Sequence, residues 1–120
     1  MDYRKEYEKW LASPALSEDE RAELKALEGN DKEIKARFYG PLEFGTAGLR
    51  GTMYTGLHNM NRHVIRWATQ GFANVIRAEG TEAMQKGVAV CMDCRNHSAE
   101  FARETACVMA ANGIHVRLFE

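Results

Sequence analysis

Cysteine is scarce. Cys91, Cys94 and Cys107 are the only three, and three thiols cannot all pair. A chain of this size with so few cysteines has no disulfide framework, which fits a reducing compartment. Long hydrophobic runs are missing: nothing approaches the ~18 apolar residues of a membrane span. The first ten residues, Met1 to Trp10, are charged throughout and contain no apolar signal core. Excess charge of one sign is missing too. Lys+Arg number 16 and Asp+Glu 17, for a formal net charge of -1, without the basic stripe that a general nucleic-acid binder needs. Internal repeats and low-complexity tracts are also lacking. These absences point to a cytoplasmic protein with no membrane and no nucleic-acid partner.

What is present is ordinary for a folded domain. The 120 residues are 45% hydrophobic and 28% charged, close to one domain in length and too apolar for disorder. Charge and glycine are unevenly spread. Residues 1–40 carry 8 basic and 10 acidic side chains and two of the ten glycines; residues 41–120 carry 8 basic and 7 acidic. This divides the chain into a helical N-terminal leader, 1–40, and an α/β part, 41–120, richer in turns.

Within the leader, Tyr3, Tyr7, Trp10 and Leu11 recur at helical spacing over 2–12, and Pro14 ends that helix. Ser17 with Glu20 three residues on is a capping box that opens a helix over 18–28, stopped by Gly29. A third short helix is expected from Asn30 to about Arg37. Such charged, narrow-striped helices read as solvated arms packed on a larger body, with a partner-binding arm as the alternative.

In the second part, Leu42-Glu43-Phe44 reads as a short strand. Residues 61–79 form the strongest helix, with Ile65, Ala68, Phe72, Val75 and Ile76 as its buried stripe and Gly80 as its stop. Gly87 to Met92 is a continuous apolar run typical of a covered strand. Ser98 caps a helix over 99–112, with Phe101, Ala102, Thr105, Val108 and Met109 on one side. Ile114 to Phe119 is the next strand, so 87–119 reads as a βαβ unit with parallel strands. Such a pair needs neighbours, and the chain ends on it, so an excised fragment of a larger protein is expected. Its open strand edges would favour self-association.

The sharpest chemical feature is the loop Gly45-Thr46-Ala47-Gly48-Leu49-Arg50-Gly51. Glycines let backbone N–H groups approach an anion, Thr46 adds a hydroxyl, and Arg50 offers a fork suited to phosphate. It is neither a Walker loop nor a dinucleotide fingerprint, since neither spacing is met. Gly45, Thr46, Gly48 and Arg50 are the candidate phosphate-binding residues. Cys91-x-x-Cys94 admits a redox pair or half of a zinc site, but Cys107 falls mid-helix and Ser98, not a cysteine, opens the following helix. The simpler reading makes Cys91 a core residue and Cys94 a loop residue. His58 and His115 lack carboxylate or thiol partners at ligand spacing and His63, on the first turn of a helix, reads as a surface residue, so all three read as structural; no metal site is expected.

Phe44-Gly45-Thr46-Ala47-Gly48-Leu49-Arg50-Gly51 resembles the N-terminal signature of the α-D-phosphohexomutases, the phosphoglucomutase/phosphomannomutase family. Asn61-Arg62, Arg66 and Ala68-Thr69-Gln70-Gly71-Phe72-Ala73 resemble the helix that follows it. Val88-Ala89-Val90 leading to Asp93-x-Arg95, then Ser98 and Glu100-Phe101-Ala102, resemble the family's first strand, turn and next helix. The resemblance covers roughly 40–120. It implies a three-layer α/β/α domain with a mixed, partly parallel sheet, the incomplete first domain of a four-domain enzyme.

The resemblance also implies an activity. Such enzymes interconvert hexose 1-phosphate and hexose 6-phosphate through a phosphoserine and a hexose 1,6-bisphosphate, assisted by Mg²⁺. Arg50 matches the family arginine near the phosphoserine, and is the one catalytic residue carried over. Asp93 and Arg95 are read as a pair that braces the site. The sequence contains no Ser-His-Asn and no Asp-x-Asp, so the serine and metal loops are missing, and the fragment alone is expected to be inactive and to bind no cofactor. Its partners would be the hexose phosphate and the remaining domains of the same chain. A stand-alone phosphate-binding module built on Gly45–Arg50 is the alternative.

Overall fold

The computed structural model describes residues 2–46, 48–92 and 97–119. They form two compact units, Met1–Asn61 and Arg62–Glu120.

The first unit holds three helices, α1 (Tyr3–Leu11), α2 (Glu18–Lys25) and α3 (Asp31–Phe38), followed by the short strands β1 (Phe44–Gly45) and β2 (Gly48–Leu49). Each helix start is capped. Asp2 accepts from the Arg4 and Lys5 amides. Ser17 accepts from the Glu20 amide at 3.2 Å, and the Glu20 carboxylate accepts from the Ser17 amide at 2.9 Å, which is the expected capping box. Asn30 accepts from the Glu33 amide. Such caps contribute about 1 kcal/mol each.

The apolar faces of α1, α2 and α3 close on one another around Tyr7, Leu24, Ile34 and Phe38, and Leu57 completes the cluster. Phe38 is fully enclosed, with the rings of Tyr7 and Trp10 edge-on to it, each 5.7 Å away between centroids. The Tyr7 hydroxyl donates to the Leu24 carbonyl at 2.7 Å. The leader is therefore no string of solvated arms. It has its own core, and the segment after β2 helps to build it through Leu57.

The second unit contains α4 (Arg62–Glu79), α5 (Thr81–Lys86), β3 (Val88–Val90), α6 (Ser98–Ala111) and β4 (Val116–Leu118). Strands β3 and β4 are parallel, in register Val88↔Val116, Ala89↔Arg117 and Val90↔Leu118, with α6 between them in sequence. This is the expected βαβ unit. Strands β1 and β2 pair antiparallel in a separate sheet, so the described strands make two two-stranded sheets and not one mixed sheet. The short helix α5 was not anticipated, because six residues are too few to show a period.

Helix α4 is rotated from its expected face. Phe72 and Val75, read as buried, are exposed, whereas Ala73 is enclosed with Met109 and Ile114. Polar pairs set the rotation. Arg66 holds Glu104 at 2.6 Å, the Thr69 hydroxyl meets that of Thr105 at 3.4 Å, and Gln70 and Asn112 exchange hydrogen bonds at 3.0 and 2.8 Å. Those partners lie on α6 or just beyond its end, so the α4 face bearing Arg66, Thr69, Gln70 and Ala73 turns to α6. The α6 start differs as well: His97, at φ 64°, is the N-cap, and Ser98 is the first helical residue. No helix among the described residues is long and apolar enough to cross a membrane.

Candidate functional site

Phe44 opposes Leu49 and Gly45 opposes Gly48, which makes the glycine-rich loop a tight hairpin with Thr46 at its tip. Gly45 and Thr46 are exposed, Gly48 is half-buried, and Arg50 follows β2 with its side chain exposed. The hairpin thus gathers the four candidate residues within six positions. Only Arg50 goes further: it lines a cleft of about 440 Å³ shared with Arg37, Thr52, Tyr54, His58 and Asn59.

Two arginines in this cleft play opposite parts. Arg37 is buried and neutralised. Its Nε donates to Glu33 at 3.0 Å, Nη1 lies 3.4 Å from Glu23, and Nη1 also donates to the Thr55 carbonyl at 3.3 Å. Buried guanidinium groups require such pairing. Arg50 has no hydrogen-bond or ion-pair partner among the described residues, so its charge is open to an incoming anion. A phosphate would gain a bidentate contact there.

The cleft wall is held by a dense set of bonds. His58 Nδ1 donates to the Gly40 and Pro41 carbonyls at 3.1 and 3.2 Å, which leaves Nε2 to accept from the Tyr39 hydroxyl at 2.8 Å. These bonds tie the His58 ring to the segment before β1. Asn61 Nδ2 donates to the carbonyls of Tyr54 and Gly56. The side-chain oxygen of Asn59 is buried without a hydrogen-bond partner among the described residues.

Sequence reasoning did not find Arg37, Tyr54 and Asn59. The available signal was the Glu33–Arg37 spacing of four residues, which reads as an ordinary exposed helix pair. Nothing local announces that the arginine faces inward against a loop some twenty residues on.

Asp93, Arg95 and Cys94 lie outside the described residues, as does Ala47. Cys91, read as a core residue, is exposed at the end of β3, and Cys107 is exposed on α6. Three-residue strands explain the first: with so little sheet, one side of β3 stays uncovered. His115 is exposed, in line with its expected outward position. Among the described residues no three His, Cys, Asp or Glu side chains are grouped to hold a metal ion. The Mg²⁺ that the resemblance implies does not fit the residues described.

Comparison with known proteins bears directly on this hairpin. A sequence model of phosphoglucomutase/phosphomannomutase, alpha/beta/alpha domain I, matches residues 41–120. The chain is 39% identical to a phosphopentomutase of Homo sapiens over 98 residues, 77% of this chain and 16% of that protein. It is 36% identical to a phosphoribomutase of Saccharomyces cerevisiae over 104 residues, 87% of this chain and 16% of that protein. It is 30% identical to a phosphomannomutase of Mycoplasma pneumoniae over 115 residues, 96% of this chain and 21% of that protein. No solved structure matches. The chain spans about a sixth to a fifth of the length of these relatives. Over 41–120, hairpin and Arg50 included, the chain belongs to the phosphoglucomutase/phosphomannomutase family as domain I.

Proposed function

We propose that this chain is the N-terminal part of a sugar-phosphate mutase that interconverts hexose 1-phosphate and hexose 6-phosphate through a phosphoserine and a hexose 1,6-bisphosphate. The observation that carries the reading is Arg50, a guanidinium without a partner among the described residues that lines a cleft beside the hairpin of a domain I sequence. Arg50 binds the phosphoryl group in transit and stabilises its charge. Gly45, Thr46 and Gly48 shape the hairpin and offer backbone N–H groups. Serine nucleophile and magnesium are assigned to the remainder of the protein, in a cytoplasmic enzyme of four domains whose first is a three-layer α/β/α domain. The chain alone is then inactive. Trp67, Phe72 and Val75 on α4 and Phe119 after β4 are each exposed, and so many exposed large apolar side chains support contacts with the rest of a larger protein.

A pentose phosphate is the second reading, favoured by 39% identity to a phosphopentomutase and 36% to a phosphoribomutase. One assay separates them. The full-length protein is incubated with glucose 1-phosphate or ribose 1-phosphate and followed by ³¹P NMR. Appearance of glucose 6-phosphate supports the first reading and of ribose 5-phosphate alone the second. Conversion of neither overturns both.

A further inference from the structure

We propose that Glu23 and Arg37, both in the helical leader, are positioning residues for Arg50. The inference rests on the phosphate-binding reading of Arg50 and assigns the leader a part in it.

The two side chains grip the backbone of one residue, Thr55, at its amide and at its carbonyl. The Thr55 amide donates to Glu23 Oε2 at 3.2 Å, and the Thr55 carbonyl accepts from Arg37 Nη1 at 3.3 Å. The Arg37 guanidinium also lies over the Tyr54 ring, 4.5 Å from its centroid. Its own backbone carbonyl accepts from the His58 amide at 2.8 Å. Segment 54–58 is therefore clamped to α2 and α3 through both side chains and backbone. Gly56 shows how closely: a Cβ there, at φ 151°, would stand 2.9 Å from Arg37 Cβ and 2.7 Å from Asn59 Oδ1.

The clamp reaches Arg50 by contact. The Leu42 amide donates to the Leu57 carbonyl at 3.3 Å, and the Met60 amide donates to the Thr52 carbonyl at 3.0 Å. Gly51, next to Arg50, is wedged between those two side chains: a Cβ on it would meet Leu42 Cδ1 at 3.2 Å and Met60 Cγ at 3.4 Å. The backbone carrying Arg50 is thus located by Leu42 and Met60, which segment 52–60 locates, which Glu23 and Arg37 hold. A loop fixed in this way presents its guanidinium without first losing conformational freedom.

The test uses the 120-residue chain, labelled for its arginine Nε–H signals and titrated with inorganic phosphate. In the native chain the Arg50 signal shifts and saturates. In Glu23→Ala phosphate binds about 3- to 10-fold more weakly, the effect of one net hydrogen bond. Glu23→Gln, which keeps an oxygen for the Thr55 amide, returns the affinity to within about twofold of native, an outcome that general loss of stability would not produce. If Glu23→Ala does not fold, Arg37→Lys provides the same comparison, since it keeps the charge but loses the fork. An Arg50 signal that ignores phosphate in the native chain overturns the phosphate reading and this proposal with it. An Arg50 signal that responds equally in native chain and variant overturns the positioning role alone.

Discussion

Arg37 lies over Tyr54, its guanidinium carbon 4.5 Å from the ring centroid, while Glu33 one turn earlier on α3 and Glu23 on α2 balance its charge. One side chain thereby joins α2, α3 and the segment after the hairpin. Removal of a buried ion's partner is costly, but Glu23 and Glu33 retain 34% and 38% exposure and regain water. Arg37→Ala should therefore destabilise the first unit by about 2 kcal/mol, below the usual value for a fully buried pair. Urea unfolding followed by tyrosine fluorescence checks this. A loss under about 0.5 kcal/mol would place the arginine among ordinary surface pairs.

Glycine substitutions separate space from conformation. Gly87, at φ 77°, precedes β3, and a Cβ on it would fall 2.2 Å from the His115 backbone oxygen, which accepts from the Val88 amide at 2.8 Å. Gly87→Ala must break that strand entry, at a cost of about 3 kcal/mol or more. Gly71, in the middle of α4, has open space at its Cβ position. Gly71→Ala should stabilise the helix by about 0.5–1 kcal/mol. Thermal melts of the two variants should move in opposite directions.

Acid should weaken the leader through Asp31. The Tyr3 hydroxyl, at 2.8 and 3.0 Å from its two oxygens, and then the Arg4 charge hold its carboxyl below the usual carboxylate range. A depressed folded pKa gives stability that is present above the unfolded value and lost as pH falls through the folded one, here from about pH 4 downward. Asp31→Asn should flatten the stability profile in that window. An unchanged acid limb would remove Asp31 from the account.

Alkali should act through Tyr7. Burial, and then the charge of Glu28, push its hydroxyl above the ordinary tyrosine value, and its proton is held against the Leu24 carbonyl. A raised folded pKa gives stability that is complete below the unfolded value, about 10, and lost as pH rises through the folded one. Tyr7→Phe should be less stable at neutral pH yet lack this alkaline loss, as denaturant midpoints across pH would show.

The elements legible in the sequence were those with a local cause. Ser17 and Glu20 announced α2, Gly80 announced the end of α4, and the Gly87–Met92 and Ile114–Phe119 runs announced the parallel pair, whose strands are the shorter Val88–Val90 and Val116–Leu118. The exposed face of α4 was not legible, because Phe72 and Val75 look buried by hydrophobicity, whereas the pairing of Arg66, Thr69 and Gln70 with Glu104, Thr105 and Asn112 turns a different face toward α6. Arg50 stood out by its glycine neighbours, and the structure puts it on the wall of a cleft. Arg37 was not, since its burial depends on the Tyr54–His58 segment folding back on α3, a contact between residues about twenty apart.

The central claim is that Arg50 acts on the phosphoryl group in a sugar-phosphate mutase. Its most direct test is kcat/KM of the full-length protein with Arg50→Ala, on whichever sugar 1-phosphate it converts. Loss of a preorganised charge at a transferring phosphoryl group should lower the value by about 10²- to 10³-fold, mostly in kcat. A value within about twofold of native would contradict the account.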